Sequence, residues 1–253
     1  MVVLRTTSEI ETMREAGRVV ARTLDAVAAE VRPGVRLVDL DALAADTIAA
    51  HGAKPSFLGY LPRFAGTPYP GVLCLSVNEA IVHGVPDKRV LRDGDILSID
   101  CGAHVDGYHG DAAVTVPVGA VDAAGLQLIE TVFAALAAGI AAARPGGRMG
   151  DIGYAIEAAC RPYGIPHGWG GHGIGTAMHD DPHVPNTGKA GRGLALREGL
   201  VIAIEPMVIE GGGDRTRALR DGWTITTTDG SRAAHAEHTV AITADGPVVL
   251  TRS

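Results

Sequence analysis

The chain alternates between long segments with helical periodicity and short apolar runs that suit strands. Apolar residues that recur every three or four positions predict one long helix over residues 8–31 and another over residues 122–143. At the start of the first helix, Ser8 and Glu11 have the spacing of a capping box. An Arg-Pro-Gly sequence follows each helix and predicts its end, because proline and glycine disfavour further helical turns.

Two segments of the chain match each other at a constant offset of 112 residues, residues 32–52 and residues 144–164. Each predicts a shorter second helix, which ends at Gly52 in one segment and at Gly164 in the other. The identical pairs are Arg32 and Arg144, Pro33 and Pro145, Gly34 and Gly146, Arg36 and Arg148, Asp39 and Asp151, and Gly52 and Gly164. Six identities without a gap favour an internal duplication.

Apolar runs with strand character follow the helices of each repeat. The clearest read DILSID, HGDAAVTV, LVIAIEP and EHTVAIT. The chain is therefore predicted to be an α+β protein, a single domain over residues 1–253. It consists of two αβ halves, approximately residues 1–120 and 121–253, related by a pseudo-twofold axis. A site shared between the halves is the natural place for chemistry.

The dipeptide Asp106–Gly107 predicts a two-residue hairpin turn between the first two of these strands. Such a turn places Gly102 opposite Asp111 and makes Asp100 a diagonal neighbour of Asp111 on one face. Diagonal pairs lie roughly 7–8 Å apart, a reach at which two carboxylates can hold a pair of metal ions between them.

Four carboxylates are predicted at the ends or in the middle of buried strands. Asp100 ends DILSID, Asp111 lies in the next strand, Glu205 closes LVIAIEP, and Glu237 opens EHTVAIT. Burying an unpaired carboxylate costs several kcal/mol, so each needs a cation, an arginine partner or a proton. A single acidic residue at a strand end is more often a cap or a surface charge. For four together, metal is the better explanation.

An imidazole adds to this set, since His172 stands in GGHGIG between glycines that let backbone and ligands approach closely. Four carboxylates and one imidazole suit borderline divalent ions such as Mn, Fe or Co better than a thiolate zinc site would. The charges also balance, because two dications neutralise four carboxylates.

Composition and charge argue against several classes of protein. Hydrophobic residues make up 46% and charged residues 20%, which favours a folded core. The net charge of -7 and the lack of a Lys/Arg cluster argue against a nucleic-acid partner. Three cysteines without CxxC spacing predict reduced thiols. No apolar signal region opens the chain, and the longest apolar run, residues 132–143, is short for a membrane span. We expect a cytoplasmic protein that does not associate with a membrane.

Several motifs occur together in order: SVNEAIVHGVPD, DGDILSIDCGAHVDGYHGDAAVT, GGHGIG, VIAIEPM, DGWT and AEHT. This combination, over nearly the whole chain, resembles the type I methionyl aminopeptidases. The resemblance implies the pita-bread (creatinase/aminopeptidase-like) fold. It also implies an exopeptidase that removes the first methionine of nascent proteins when the second residue is small.

The resemblance also assigns roles to individual residues. It implies two divalent cations (Co²⁺, Mn²⁺, Fe²⁺ or Zn²⁺) with a bridging hydroxide, held by Asp100, Asp111, His172, Glu205 and Glu237. Asp111 and Glu237 would bridge the ions, and Glu205 would act as general base. Two histidines, His83 in VHGVP and His179 in MHDDP, would face the substrate. A structural role is expected for the other histidines: His51, His104, His109, His167, His183, His235 and His238.

A pocket for the methionine side chain is implied as well. Its predicted lining is Tyr60, Cys74 and Trp223, with Phe57 and Tyr69 beside them. Met178 stands where relatives often carry an aromatic residue, which could reshape this pocket. The segment LPRFAGTPYPG, residues 61–71, is longer than in shorter relatives and makes the position of Tyr69 uncertain.

Three alternatives remain open at this point. A proline-specific peptidase of the same fold usually carries an additional N-terminal domain, and a type II methionyl aminopeptidase carries a long insertion in its second half. A metal-free pita-bread binding protein would have broken ligand positions, whereas all five are intact. We expect a monomer that acts on nascent polypeptide N-termini, and the sequence leaves ribosome association open.

Overall fold

The computed structural model describes residues 2–62 and 65–252. Arg63 and Phe64, part of the long segment between Tyr60 and Cys74, lie outside the described residues. Within the described ranges the helices are α1 (Thr7–Ala29), α2 (Leu37–Ala50), α3 (Ala123–Ala142) and α4 (Met149–Cys160).

The strands alternate with short turns along both halves of the chain. They are β1 (Lys54–Pro55), β2 (Leu73–Val77), β3 (Ala80–Val82), β4 (Ile96–Val105), β5 (Tyr108–Pro117), β6 (Gly170–Gly173), β7 (Asp180–Pro185), β8 (Val201–Ile204), β9 (Met207–Ile209), β10 (Thr216–Ala218), β11 (Ile225–Thr227), β12 (Ala233–His235), β13 (Glu237–Thr243) and β14 (Gly246–Val249).

A nine-stranded sheet joins the two halves. Its order is β1-β4-β5-β13-β8-β6-β7, with β2 also paired to β4 and β14 to β13. The halves meet at the pair β5–β13, with β4 next to β5 and β8 next to β13. One hydrophobic core packs α1 and α2 against β2, β4 and β5. A second packs α3 and α4 against β8 and β13. The predicted α+β class with two αβ halves is confirmed.

The internal repeat has a structural counterpart at each Arg-Pro-Gly. The backbone N–H of Gly34 donates to the carbonyl of Leu91 over 2.8 Å, and that of Gly146 donates to the carbonyl of Leu196 over 2.9 Å. Both glycines have positive φ, +94° and +82°, a conformation that glycine adopts without steric cost. Both shorter helices then begin directly after an arginine. The repeated Arg-Pro-Gly sequence therefore forms the same turn in both halves of the chain.

The capping box predicted for Ser8 and Glu11 is wrong. Helix α1 begins one residue earlier, and its capping box joins Thr6 and Glu9. The Glu9 carboxylate accepts from the Thr6 N–H over 2.7 Å and from the Tyr108 hydroxyl over 2.9 Å. Two Ser/Thr-x-x-Glu patterns overlap here, one from Thr6 to Glu9 and one from Ser8 to Glu11. The contact of Glu9 with Tyr108, which is distant in sequence, favours the first. In the second half, α4 ends at Cys160 and not at Gly164, because Pro162 cannot continue it.

The predicted hairpin is confirmed. Strands β4 and β5 pair with Gly102 opposite Asp111, and both residues of the Asp106–Gly107 turn have positive φ, as a type I′ turn requires. One expectation is corrected, since Asp100 does not end its strand. It lies in the middle of β4, between Cys74 of β2 and Ala113 of β5. The backbone position of Asp100 is therefore fixed by a neighbouring strand on each side.

Helix α3 is long and apolar enough to cross a membrane by length and composition. The apolar run of residues 132–143 is too short for a membrane span. The whole of α3 is long enough, and its composition remains apolar because Glu130 is its one charged residue. In the structure its buried residues Leu128, Val132 and Leu136 belong to the core of the second half. That is the packing of a core helix.

Candidate active site

The five residues predicted to bind metal come together at the centre of the sheet. The first half supplies Asp100 from β4 and Asp111 from β5. The second half supplies His172 from β6, Glu205 directly after β8, and Glu237 as the first residue of β13. All five are at most 9% exposed. The site therefore lies between the halves, as the symmetry of the fold predicts.

Glycines beside His172 let three strands approach each other closely. A Cβ on Gly171 would stand 2.1 Å from the carbonyl oxygen of Ala203, and a Cβ on Gly173 would stand 2.0 Å from that of Asp181. Both distances are far below van der Waals contact. The glycine-rich motif is thus needed to place the imidazole of His172 among the carboxylates.

The orientation of His172 suits a metal ligand. Its Nδ1 lies 2.8 Å from the carbonyl oxygen of Gly173, which makes Nδ1 the protonated nitrogen. Its Nε2 then faces the carboxylates, 3.6 Å from Glu205 Oε1 and 3.8 Å from Asp111 Oδ2. A ligand atom from each of Asp111, His172 and Glu237 lies within 4.8 Å of the others. Such a group can hold one divalent ion.

The carboxylates have no cationic side chain to neutralise them. Across the described ranges, no Lys or Arg forms an ion pair with any of the four. Oxygens Oδ1 of Asp100, Oδ1 of Asp111 and Oε1 of Glu237 are buried without a hydrogen-bond partner. Unpartnered buried oxygens of this kind are costly in a protein interior unless a cation or a proton satisfies them. The residues present therefore fit divalent metal ions.

Burial shapes the protonation of this cluster in the metal-free protein. It raises the pKa of Asp100 to about 7 and that of Glu205 to about 8. The pKa values of Asp111 and Glu237 are also raised, first by burial and then by neighbouring carboxylates. Burial lowers the pKa of His172 to about 4, so the ring is neutral and can bind metal. Cations would displace the protons that the carboxylates hold.

A cavity of about 380 Å³ opens beside the carboxylates. Its walls include all five predicted metal ligands, His83, His179 and the predicted pocket residues Phe57, Tyr60, Tyr69, Cys74 and Trp223. The aromatic rings form one contact network, since Tyr69 meets Trp223 edge to face at 5.0 Å and Phe57 at 6.4 Å. The structure therefore places an apolar, aromatic pocket directly against the carboxylate cluster.

Met178 is placed differently from the other predicted pocket residues. It is 3% exposed and packs in the same hydrophobic cluster as Phe57 and Trp223, but it is not among the residues that line the cavity. A Cβ on Gly102 would stand 3.1 Å from its terminal methyl. Met178 thus supports the pocket wall from behind, next to the strand that carries Asp100.

The two predicted substrate-facing histidines are held in different ways. His83 has a positive φ of +58°, and its buried Nδ1 has no hydrogen-bond partner. A non-glycine residue in this conformation is uncommon, and it often marks a functional site. His179 stacks on Tyr60, with ring centroids 5.1 Å apart. Burial lowers the pKa of each ring to about 3, so both are neutral hydrogen-bonding groups.

Several residues at the site were not predicted. Trp169 lines the cavity and meets His83 edge to face at 5.5 Å. Trp169 and His183 also line a second, adjoining cavity of about 220 Å³. His235, for which a structural role was expected, lies against the carboxylates, with Nε2 3.5 Å from Glu205 Oε2. A lone His or Trp carries little sequence signal, since its position depends on distant strands.

The chain is similar to proteins of known family. The model of Metallopeptidase family M24 matches residues 11–244. The chain is 48% identical to methionine aminopeptidase 1 of Mycobacterium tuberculosis over 98% of this chain and 94% of that protein. The crystal structure of methionine aminopeptidase from Thermotoga maritima superposes with a TM-score of 0.95 at 41% identity, over 100% of both chains.

Prolidase from Pyrococcus furiosus is a more distant structural neighbour. It has a TM-score of 0.75 at 21% identity, and the match covers 66% of that chain, so it shows a shared fold alone. The pita-bread fold predicted from the sequence is confirmed by these structures, and so is the resemblance to methionyl aminopeptidases. With the site geometry and a family match over most of its length, this chain belongs to metallopeptidase family M24.

Proposed function

We propose that this protein is a metal-dependent aminopeptidase that removes the N-terminal methionine from nascent polypeptides whose second residue is small. The observation that carries the proposal is the position of the aromatic cavity, which ends at a buried cluster of four carboxylates and His172. Relatives named methionine aminopeptidase match nearly the whole chain and support it.

Two divalent cations would be held by the five clustered residues Asp100, Asp111, His172, Glu205 and Glu237. Bound divalent cations supply an acidified water and polarise the scissile carbonyl. Cobalt, manganese, iron and zinc all fit an oxygen-rich set with one imidazole. We favour Mn, Fe or Co because four of the five residues are carboxylates, the ligands that suit harder divalent ions.

The side chains of the site supply positioning and proton transfer. Glu205, once cations displace its proton, is an anion at the edge of the cavity and is our choice of general base. A neutral His179 donates a hydrogen bond to the oxygen of the scissile carbonyl, where negative charge develops. The unpartnered Nδ1 of His83 offers a contact for the peptide amide or the leaving group.

Specificity for methionine follows from the shape and chemistry of the cavity. An unbranched thioether fits a pocket lined by aromatic rings and the Cys74 thiol, because sulfur makes favourable contacts with aromatic rings. The second residue of the substrate would lie beside His83, whose ring meets Trp169 edge to face. We therefore expect Gly, Ala, Ser, Thr, Pro, Val or Cys to be accepted there, and Lys, Leu or Phe to be rejected.

The test is hydrolysis of Met-Ala-Ser compared with Ala-Pro-Ala by protein of measured metal content. We expect activity on Met-Ala-Ser that chelation abolishes and that Mn²⁺, Fe²⁺ or Co²⁺ restores. Preference for Ala-Pro-Ala would point to the proline-specific alternative. Full activity in a verified metal-free preparation would rule out the metal-dependent reaction.

The setting of the enzyme is also part of the proposal. We expect the protein to act in the cytoplasm, where nascent polypeptides are made, and to act as a monomer. Its buried, unbridged cysteines fit a reducing compartment.

A further inference from the structure

His235 is fixed in place by the strands around it. Its backbone N–H lies 3.0 Å from Thr115 Oγ1 and 3.3 Å from Ser98 Oγ, and its carbonyl accepts from the Thr115 hydroxyl over 2.6 Å. It also pairs with Met207 across β12 and β9. The residue is 1% exposed. The direction of its ring is therefore set by the protein and not by solvent.

The ring of His235 points at two predicted metal ligands. Its Nε2 lies 3.5 Å from Glu205 Oε2 and 3.8 Å from Glu237 Oε2. The same Nε2 is buried and has no hydrogen-bond partner. A buried polar group left without a partner destabilises the folded protein, so a donor in this position favours any acceptor within reach. A movement of about 0.6 Å would bring Nε2 to an ordinary hydrogen-bond distance from Glu205.

The two oxygens of Glu205 face two different imidazoles. Oε1 lies 3.6 Å from Nε2 of His172, and Oε2 lies 3.5 Å from Nε2 of His235. His172 is tied through Nδ1 to a backbone carbonyl, so its Nε2 lone pair is available to a cation. This assigns the Oε1 side of Glu205 to metal and leaves Oε2 for a hydrogen-bond donor.

We infer that His235 is a positioning residue, which donates a hydrogen bond from Nε2 to Oε2 of Glu205 and so holds that carboxylate in its metal-binding orientation. The inference rests on the metal site of the proposed function. Outer hydrogen-bond partners of metal ligands typically contribute 10–100-fold to metal affinity. A side-chain amide of suitable length can replace the imidazole as a donor, whereas an aliphatic side chain cannot.

The experiment compares the full-length protein with His235→Gln, His235→Leu and the control His238→Leu. His238 lies three residues along the chain and bonds Thr251 Oγ1 over 2.9 Å. Cobalt affinity is measured by competition with a chelator, and the visible absorption of the Co²⁺-loaded protein reports the ligand set. We expect affinity to fall by about 10–100-fold in His235→Leu. It should stay near the wild-type value in His235→Gln and His238→Leu.

The other outcomes separate the alternatives. Unchanged affinity in His235→Leu would overturn the inference. Equal losses in His235→Gln and His235→Leu, with a shifted Co²⁺ spectrum in both, would make His235 a direct ligand and also overturn it. If His235→Leu does not fold, His235→Asn takes its place, since its amide is too short to reach Glu205, and the same loss is expected. Wild-type protein that binds no cobalt would instead contradict the proposed function.

Discussion

The ring centroids of His172 and His179 lie 4.2 Å apart, although we propose that one ring binds metal and the other binds substrate. Their attachments differ, since His172 is tied to the backbone of Gly173 and His179 is stacked on Tyr60. Removal of one ring therefore leaves the other held by its own contacts. This makes the two roles separable by mutation.

We expect His179→Ala to lower kcat by about 10²–10³, because loss of one donor to a developing oxyanion typically has that effect. Metal content, measured on the same preparation, should not change. A variant that loses metal would show that His179 belongs to the ligand set and that its assignment to substrate is mistaken.

Glu237→Gln should reduce the bound metal from two ions to one per chain. Glu237 is 1% exposed and offers ligand atoms within 4.8 Å of those of both Asp111 and Glu205, and a neutral amide bridges two cations poorly. Metal analysis and titration calorimetry would report the stoichiometry. Two ions bound with wild-type affinity would mean that Glu237 is not the bridging ligand.

Trp223→Ala should weaken the preference for methionine while metal binding stays intact. Trp223 packs against Tyr69 in the pocket wall, so its loss enlarges the site. In the wild type we expect Leu at the first position to be disfavoured by about 1–3 kcal/mol, and the variant should lose most of that difference. The ratio of kcat/KM for Met-Ala-Ser and Leu-Ala-Ser measures it. A ratio that stays constant would place the side-chain pocket elsewhere.

Trp169→Ala is the matched variant on the other side of His83. This tryptophan separates the active-site cavity from the adjoining one, so its removal should relax the choice of second residue and leave the first unaffected. We expect Met-Lys-Ser to be rejected by the wild type and to gain activity relative to Met-Ala-Ser in the variant. Equal kcat/KM for the two peptides in the wild type would mean an open second subsite.

The stability of the metal-free protein should fall as pH rises from 6.5 to 8. The folded state holds protons on Asp100 and Glu205, whose pKa values are about 7 and 8, whereas the unfolded chain has released them. Stability from a raised carboxyl pKa is complete at low pH and is lost as pH rises through the folded value. Each such proton contributes a slope of up to about 1.4 kcal/mol per pH unit.

The histidines do not reverse this trend within the chosen window. The pKa values of His83, His172 and His179 are lowered in the folded protein. Their contribution to the free energy of unfolding therefore grows as pH rises and is complete above about 6.5, where the histidines of the unfolded chain are neutral as well. Thermal unfolding at several pH values, with and without Mn²⁺, measures the effect, and the metal-induced gain in Tm should increase with pH. A metal-free Tm that stays level or rises between pH 6.5 and 8 would contradict the assignment.

The clustering of the carboxylates could be predicted because its signal is local. Each carboxylate belongs to an apolar run, and the Asp106–Gly107 turn fixes the register that places Asp100 and Asp111 on one face. His235 has no such signal, because its approach to Glu205 depends on hydrogen bonds that its backbone N–H donates to the hydroxyls of Ser98 and Thr115. Those residues lie more than a hundred positions away in the chain.

The start of α1 also depends on contacts with residues that are distant in sequence. The sequence TTSEIE contains two overlapping cap patterns, and local spacing cannot choose between them. The choice is made by the Tyr108 hydroxyl at Glu9 and by the Arg5 N–H, which donates to the carbonyl of Gly199 over 2.7 Å. Both are contacts with distant parts of the fold.

Because the proposed ligands are divided between the two halves, bound metal would link the halves together. A break in the backbone within residues 118–122, between β5 and α3, would give one fragment with two aspartates and another with His172 and two glutamates. Neither fragment carries a full ligand set, and each exposes one edge of the β5–β13 pair. The protein is therefore a natural candidate for fragment complementation, in which divalent cation acts as the assembly signal and restored peptidase activity reports reunion of the halves.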